Sequence, residues 1–258
     1  MAAVPQAWGS RCGFLMASVG FAVGLGNIWR FPYITGENGG SAFVLVYLLC
    51  AFGIGVPILM AELMLGRRGG LTPPGSVAAV ASADGRSPWW SLVGYLNLLT
   101  SFLIMIAYGV VSGWVLYYLY GSVSGALLGF DASASTAHFA ALLARPQVLV
   151  FWSLLTLIVA GFIIYKGVQG GIERAVKVLM PLLFFLLIAL MVFNVFAGGV
   201  PATINYLLAP DFSKINSAML LAAVGQAFFR IGVAMAGMMM FGAYLPKHIS
   251  IGQSAILI

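Results

Sequence analysis

Apolar residues run almost unbroken through six stretches of this chain, and the stretches are too long for the elements of a water-soluble domain. They predict helices at about 12–36, 41–65, 89–121, 148–165, 174–196 and 217–245. Several of them exceed the roughly 18 apolar residues that mark a membrane helix. A further stretch, "ISIGQSAILI", reads as the start of a seventh helix that is cut off. Alternating segments of about ten residues, the mark of a membrane β-barrel, do not occur. Polar residues collect between the runs: "GRRGGLTPPGS" after the second, "FDASASTAHFAALLARPQ" between the third and fourth, and "APDFSKIN" before the sixth. The predicted fold class is an all-α integral membrane protein.

The first run is interrupted where a membrane helix should be continuous. "VGFAVGLGNIWRFPY", Val19 to Tyr33, holds Gly24, Gly26 and Asn27, then Arg30 and Pro32. Unwinding a helix in hydrocarbon strands amides and carbonyls at several kcal/mol each. It is tolerated only where protein or a polar cavity takes those groups up. The freed carbonyls suit a cation, and the amides that open the following half-helix suit an anion. Glycine is also a close-packing residue in membrane helices, so Gly-x-Gly alone has two readings. Gly-x-Gly-Asn followed by Arg favours a binding site. The sixth run, "AAVGQAFFRIGVAMAGMMMFGAYL", carries Arg230, Gly232 and Gly237 in mid-span. Interruptions in two long spans five helices apart point to a transporter built from inverted repeats. On that reading residues 1–258 form one transmembrane domain, with a first five-helix repeat over 1–198 and the start of a second over 217–258.

Composition agrees: 62% of residues are hydrophobic and only 7% are charged, where a soluble domain carries about a quarter. The formal charge of +6 is a topology signal and not a nucleic-acid signal. Arg11, Arg67, Arg68, Arg86, Lys166, Arg174, Lys177 and Lys247 fall on one side of the predicted spans. Arg145 and Lys214 fall on the other, and Arg30 and Arg230 lie in or near the membrane. Eight against two predicts a cytoplasmic amino terminus. No basic n-region or A-x-A site precedes the first span, so no cleaved signal peptide is expected. Cys12 and Cys50 read as small buried apolar residues, and His138 and His248 lack metal-ligand spacing.

The residues also resemble a known family. "GFLMASVGFAVGLGNIWRFPYITGENGGSAFVLVYLLCAFGIGVPILMAELMLGR" is similar to the first two helices of the neurotransmitter:sodium symporters, bacterial branch. "YGVVSGWVLYYLY" resembles their third helix, "GGIERAVKVLMPLLF" the approach to the fifth, and "PDFSKI" with "AVGQAFF" the approach to the sixth. The resemblance implies a fold of two inverted five-helix repeats with helices 1 and 6 broken, in the cytoplasmic (inner) membrane. It implies sodium-coupled symport of an amino acid by alternating access. One sodium would be bound by the carbonyl of Ala22, the side chain of Asn27, a helix 6 hydroxyl and a helix 7 asparagine. The other would be bound by the carbonyls of Gly20 and Val23 and by helix 8. The substrate carboxylate would meet the amides of Leu25 and Gly26 and the hydroxyl of Tyr108. Ile104, Phe229 and the unwound part of helix 6, with Gly232 and Met235, would shape the side-chain pocket beside Ala22. Arg30, Gln226 and Phe229 would belong to an outer gate, and Glu62 would support the broken helices from helix 2. Amine-carrying members place an aspartate where this chain has Gly24, so the implied ligand is a zwitterion.

Read on their own, these residues keep second meanings. Tyrosine on an apolar span usually packs. Glu62 is expensive inside a span and so points to function, but with Gly66 and Arg67 close by it also reads as a snorkelling helix end. Arg30 also reads as an arginine snorkelling to the interface.

The chain departs from the family pattern in four places. It has six helices and a fragment where the family has about twelve, so neither sodium site is complete within it. Arg230 stands where the family has threonine or serine. Either it reflects a sequence error, a degenerate gene or a head turned to a water path, or its guanidinium replaces a sodium and grips the carboxylate itself. Ala2-Ala3-Val4-Pro5 lacks the basic residue often found before Trp8, although Arg11 is present. Phe21 stands where a small or polar residue is common. A truncated, non-transporting binding or regulatory membrane protein is therefore the alternative to a transporter. No Ser/His/Asp set, metal cluster or phosphate loop supports an enzyme. Beyond an amino acid and membrane lipid, no partner is indicated.

Overall fold

In the computed structural model, which describes residues 8–24, 26–198 and 200–258, every described element is helical. Ser10 starts the first helix, α1 (Arg11–Ala22), by accepting a hydrogen bond from the Gly13 amide. The helix stops at Val23, whose backbone is extended (φ −88°, ψ 109°). A wide turn over Gly26–Arg30 then leads into α2 (Phe31–Glu37), with Pro32 in its first turn, where no amide donor is needed. The halves on either side of the break are bent by 54°.

The second run is α3 (Ser41–Cys50) and α4 (Val56–Gly69), joined through a π-helical turn at Ala51–Gly55 into one rod of 29 residues. It ends at Gly70, in the left-handed conformation that terminates helices, later than its apolar residues alone suggest. The polar stretch after it is not all loop. Pro73 and Pro74 open α5 (Pro73–Ala83), which buries Val77, Val80 and Ala81.

The chain divides into two compact units. One holds Met1–Leu98 with Val168–Ile258, the other Leu99–Gly167. The boundary falls within α6 (Ser91–Val123). The second unit contains the rest of α6, then α7 (Ala132–Leu143) and α8 (Pro146–Tyr165). Helix α7 lies in a stretch expected to be loop. Asp131 caps it at 2.7 Å from the Ala134 amide, a bond that holds its carboxyl below the usual carboxylate range. That stabilisation is present at neutral pH and is lost as pH falls through the lowered pKa. In this unit the backbone at Ser153 sits where a Cβ on Gly113 would go, and Tyr117 Oη lies 3.0 Å from His138 Nε2.

The first unit resumes with a π turn (Val168–Glu173) and α9 (Arg174–Phe196). It continues through α10 (Val200–Leu208), α11 (Ser217–Ile231), α12 (Gly237–Ala243) and α13 (Ile251–Leu257). Helix α10 lies between the expected fifth and sixth spans. Among the described residues, four of the six expected spans are continuous helices long and apolar enough to cross a membrane, and the bent pair α1 with α2, counted as one span, makes a fifth. The sixth run falls short because it splits into α11 and α12 across Gly232–Ala236. Cys12, expected to be buried, is exposed, and Cys50 is partly buried.

The α3–α4 rod is the surface on which the split sixth run lies. Ala42 and Phe43 of α3 pack with Met219 and Ala223 of α11. Leu59 and Leu63 of α4 pack with Met238 of α12, and with Phe14 and Ala17 of α1. Opposite the break, a Cβ on Gly55 would run into the Ile231 side chain. Further along, a Cβ on Gly66 would overlap the Met239 carbonyl, and one on Gly242 the Leu63 carbonyl. The two backbones therefore touch directly, as small residues permit in membranes.

Candidate functional site

Both broken runs come apart where the sequence places glycine. Helix α11 ends at Gly232 (φ 69°), and the Val233 amide turns back to the Phe228 carbonyl at 3.1 Å. Ala234 (φ 61°) and Ala236 (φ 58°) then adopt left-handed backbone conformations, each costing ~1–2 kcal/mol for a residue with a Cβ. Two contacts hold this strained stretch. Glu62 of α4, only 7% exposed, accepts the Ala234 amide at 2.9 Å. The ring of Phe21 fills the space that side chains on Gly232 and Gly237 would need, and sits edge-on to Phe241. Phe21 is thus the filler between the two ends of the split helix.

The first break is closed more loosely. Asn27 donates its amide to the Gly24 carbonyl at 2.9 Å, and its side-chain Oδ1 accepts from the Gly24 amide at 3.4 Å. The carbonyl of Gly26 has a definite partner. Arg230 Nη2 donates to it at 2.6 Å. With the Gln226 amide oriented to satisfy both of its ends, Gln226 Oε1 accepts from Arg230 Nε at 2.9 Å and Nη2 at 2.8 Å. The guanidinium lies 4.9 Å from the centre of the Phe31 ring, a cation–π distance. Arg230 is 8% exposed and Gln226 2%. The arginine head is therefore turned onto the junction of the two broken runs. The junction opens on a cavity of about 260 Å³ lined by Ala22, Val23, Asn27, Tyr47, Ala51 and Arg230 among others.

Of the residues singled out from the sequence, Ala22, Val23, Asn27 and Arg230 share this cavity. Phe229 stands beside it: a Cβ on Gly26 would come 3.2 Å from its ring. Gly20 faces elsewhere, with Met180 Sδ 3.1 Å from where its Cβ would be. Met235 lies partly buried in the unwound stretch, its amide on the Gly232 carbonyl at 3.2 Å. Gln226 is turned to Arg230, while Arg30 is exposed at the end of the wide turn. Ile104 and Tyr108, both partly buried, lie on α6 in the second unit. Leu25 lies outside the described residues. Sequence reasoning missed Tyr47 and Ala51 as cavity walls. The only signal was a hydroxyl inside an apolar span.

The amino-terminal segment is fastened close by. Trp8 is buried, its amide on the Tyr244 carbonyl at 3.2 Å and its Nε1 on the Phe241 carbonyl at 3.3 Å. Glu173 accepts the Gly9 amide and the Ser10 hydroxyl, both at 2.9 Å, and pairs with Lys177 at 2.7 Å. A carboxylate that ties the amino-terminal segment to the start of α9 in this way is a structural clamp.

A family model described as the sodium:neurotransmitter symporter family matches residues 5–137 and 144–258. An uncharacterized sodium-dependent transporter of Bacillus subtilis, YhdH, is 38% identical over 97% of this chain and 55% of its own length. An inactive sodium-dependent neutral amino acid transporter of Homo sapiens is 30% identical over 97% of this chain and 43% of its own. The crystal structure of MhsT in complex with L-phenylalanine superposes with a TM-score of 0.86 at 40% identity, over 97% of this chain and 56% of that one. The chain spans about half the length of the curated relatives it matches.

Proposed function

Because this chain belongs to the sodium:neurotransmitter symporter family, whose fold it shares in its amino-terminal portion, we propose that it serves sodium-coupled symport of a zwitterionic amino acid by alternating access. The observation that carries the reading is the meeting of two broken helices at one buried polar junction. Irregular backbone at membrane depth is tolerated where protein or a polar cavity takes up its groups, and paired broken helices are how transporters build a midplane binding site.

In this proposal the amides of Leu25 and Gly26 and the Tyr108 hydroxyl receive the substrate carboxylate. Ala22, Ile104, Phe229, Gly232 and Met235 shape the room for its side chain. Sodium travels as co-substrate, held by the carbonyls of Gly20 and Val23; the Ala22 carbonyl and Asn27 belong to a second cation position. Arg30, Gln226 and Phe229 close the outer side, and Glu62 fastens the helix 6 break. In the same proposal the repeats divide as 1–198 and 217–258, and the excess of Lys and Arg on one side of the spans supports a cytoplasmic amino terminus in an inner membrane.

The ligand class follows from the acids. An ammonium buried without its own carboxylate needs a counter-ion. Gly24 supplies none at the first break, and Glu62 lies on α4 with Oε1 accepting from the Ala234 amide at the other break. The ligand therefore brings its own negative charge. In competition binding to the protein in lipid nanodiscs, neutral L-amino acids are expected to displace the label and dopamine-like amines are not. The reverse ranking would overturn the reading. A binding protein that does not transport is the second reading, favoured by the fixed charge of Arg230 at the junction.

A further inference from the structure

We propose that Arg230 is a built-in cation of the binding site, its guanidinium doing at the Gly26–Asn27 junction what a bound alkali ion would otherwise do. The inference rests on the symporter reading above. Arg230 donates to the carbonyl of Gly26 at 2.6 Å and is steadied by Gln226 from the preceding turn of α11 and by the face of Phe31. It joins Ala22, Val23 and Asn27 in the cavity wall. The Gly26 carbonyl opens the wide turn that restarts the first run, and the guanidinium places a fixed positive charge on it through a directed hydrogen bond. The same charge excludes a second cation from contact distance, because like charges in a poorly screened cavity repel strongly. An arginine keeps its proton at every accessible pH, so this cation neither leaves nor exchanges. Two consequences follow. The cavity beside Gly26 takes an anionic group without first loading an ion there, and sodium remains only at the carbonyls of Gly20 and Val23.

The test is the sodium response of the protein at the full length its gene encodes, in nanodiscs, with choline as the replacement cation. Thermal unfolding without amino acid is read first. Arg230→Thr is expected to gain a sodium-dependent rise in Tm over the unmodified protein, of about 1–3 °C for sodium at roughly ten to a hundred times its Kd. Arg230→Lys, which keeps the charge, is expected to stay as the unmodified protein is. Sodium dependence of amino-acid binding is read second. It should follow a single-site curve in the unmodified protein and steepen in Arg230→Thr. A two-site dependence in the unmodified protein would overturn the proposal, as would equal sodium-induced shifts in all three proteins or a lysine variant that behaves like the threonine one. If amine and not amino acid proves to be the ligand, the proposed function fails while the thermal arm still decides the role of Arg230.

Discussion

Replacing Gly66 with valine is expected to destabilise the protein by ~3 kcal/mol or more, the upper range for overpacking. Nothing flexible can yield at this position. A Cβ there would overlap the Met239 carbonyl and come 3.0 Å from the Ala243 amide, both main-chain atoms of α12. The partner glycine, Gly242, meets the Leu63 backbone from the other side. Valine would force α4 and α12 apart and open the contacts among Leu59, Leu63 and Met238 that make the core. Gly53→Ala, on the same rod with nothing within 4 Å of its would-be Cβ, is the control and should leave stability almost unchanged. Thermal unfolding in detergent reads both. A valine variant as stable as the control would show that the backbone contact is not what holds the split helix to the rod.

Glu62→Ala is expected to cost ~1–3 kcal/mol, the penalty for leaving a buried donor without its acceptor. The Ala234 amide lies in the strained turn, between two alanines with positive φ. Without the carboxylate, the stretch loses the bond that offsets its strain. Glu62→Gln keeps an acceptor oxygen of nearly the same size and is expected to recover most of the loss. Amino-acid binding should weaken with the alanine variant and return with the glutamine one. Equal loss in both would mean that the charge, and not the hydrogen bond, is what the site uses.

The arrangement of spans was legible in the sequence because lipid demands long apolar runs. The broken helices were legible too, since Gly24, Gly26 and Gly232 stand where hydrogen-bonded helix should continue. The family resemblance gave the all-α fold with its breaks, and the superposition on MhsT bears that out. The helices outside the apolar runs were not legible. Helix α5 starts on Pro-Pro, α7 rests on a cap at Asp131, and α10 is nine residues long. None carries a membrane-length signal. Within the site, a sequence names Arg230 but cannot aim it. Its direction is set by Gly26, Gln226 and Phe31, two of them about two hundred residues away in the chain. Phe21 was equally undecided until Gly232 and Gly237 proved to leave room for its ring.

The central claim is coupling of amino-acid movement to sodium, and uptake into proteoliposomes tests it most directly. The purified protein, at the full length its gene encodes, is reconstituted and given a labelled neutral L-amino acid. With sodium outside and potassium inside, the label should accumulate above its external concentration. With equal sodium on both sides, or after a sodium ionophore, it should only equilibrate. Accumulation that is the same with choline replacing sodium would contradict the account, as would vesicles that take up no more label than empty ones.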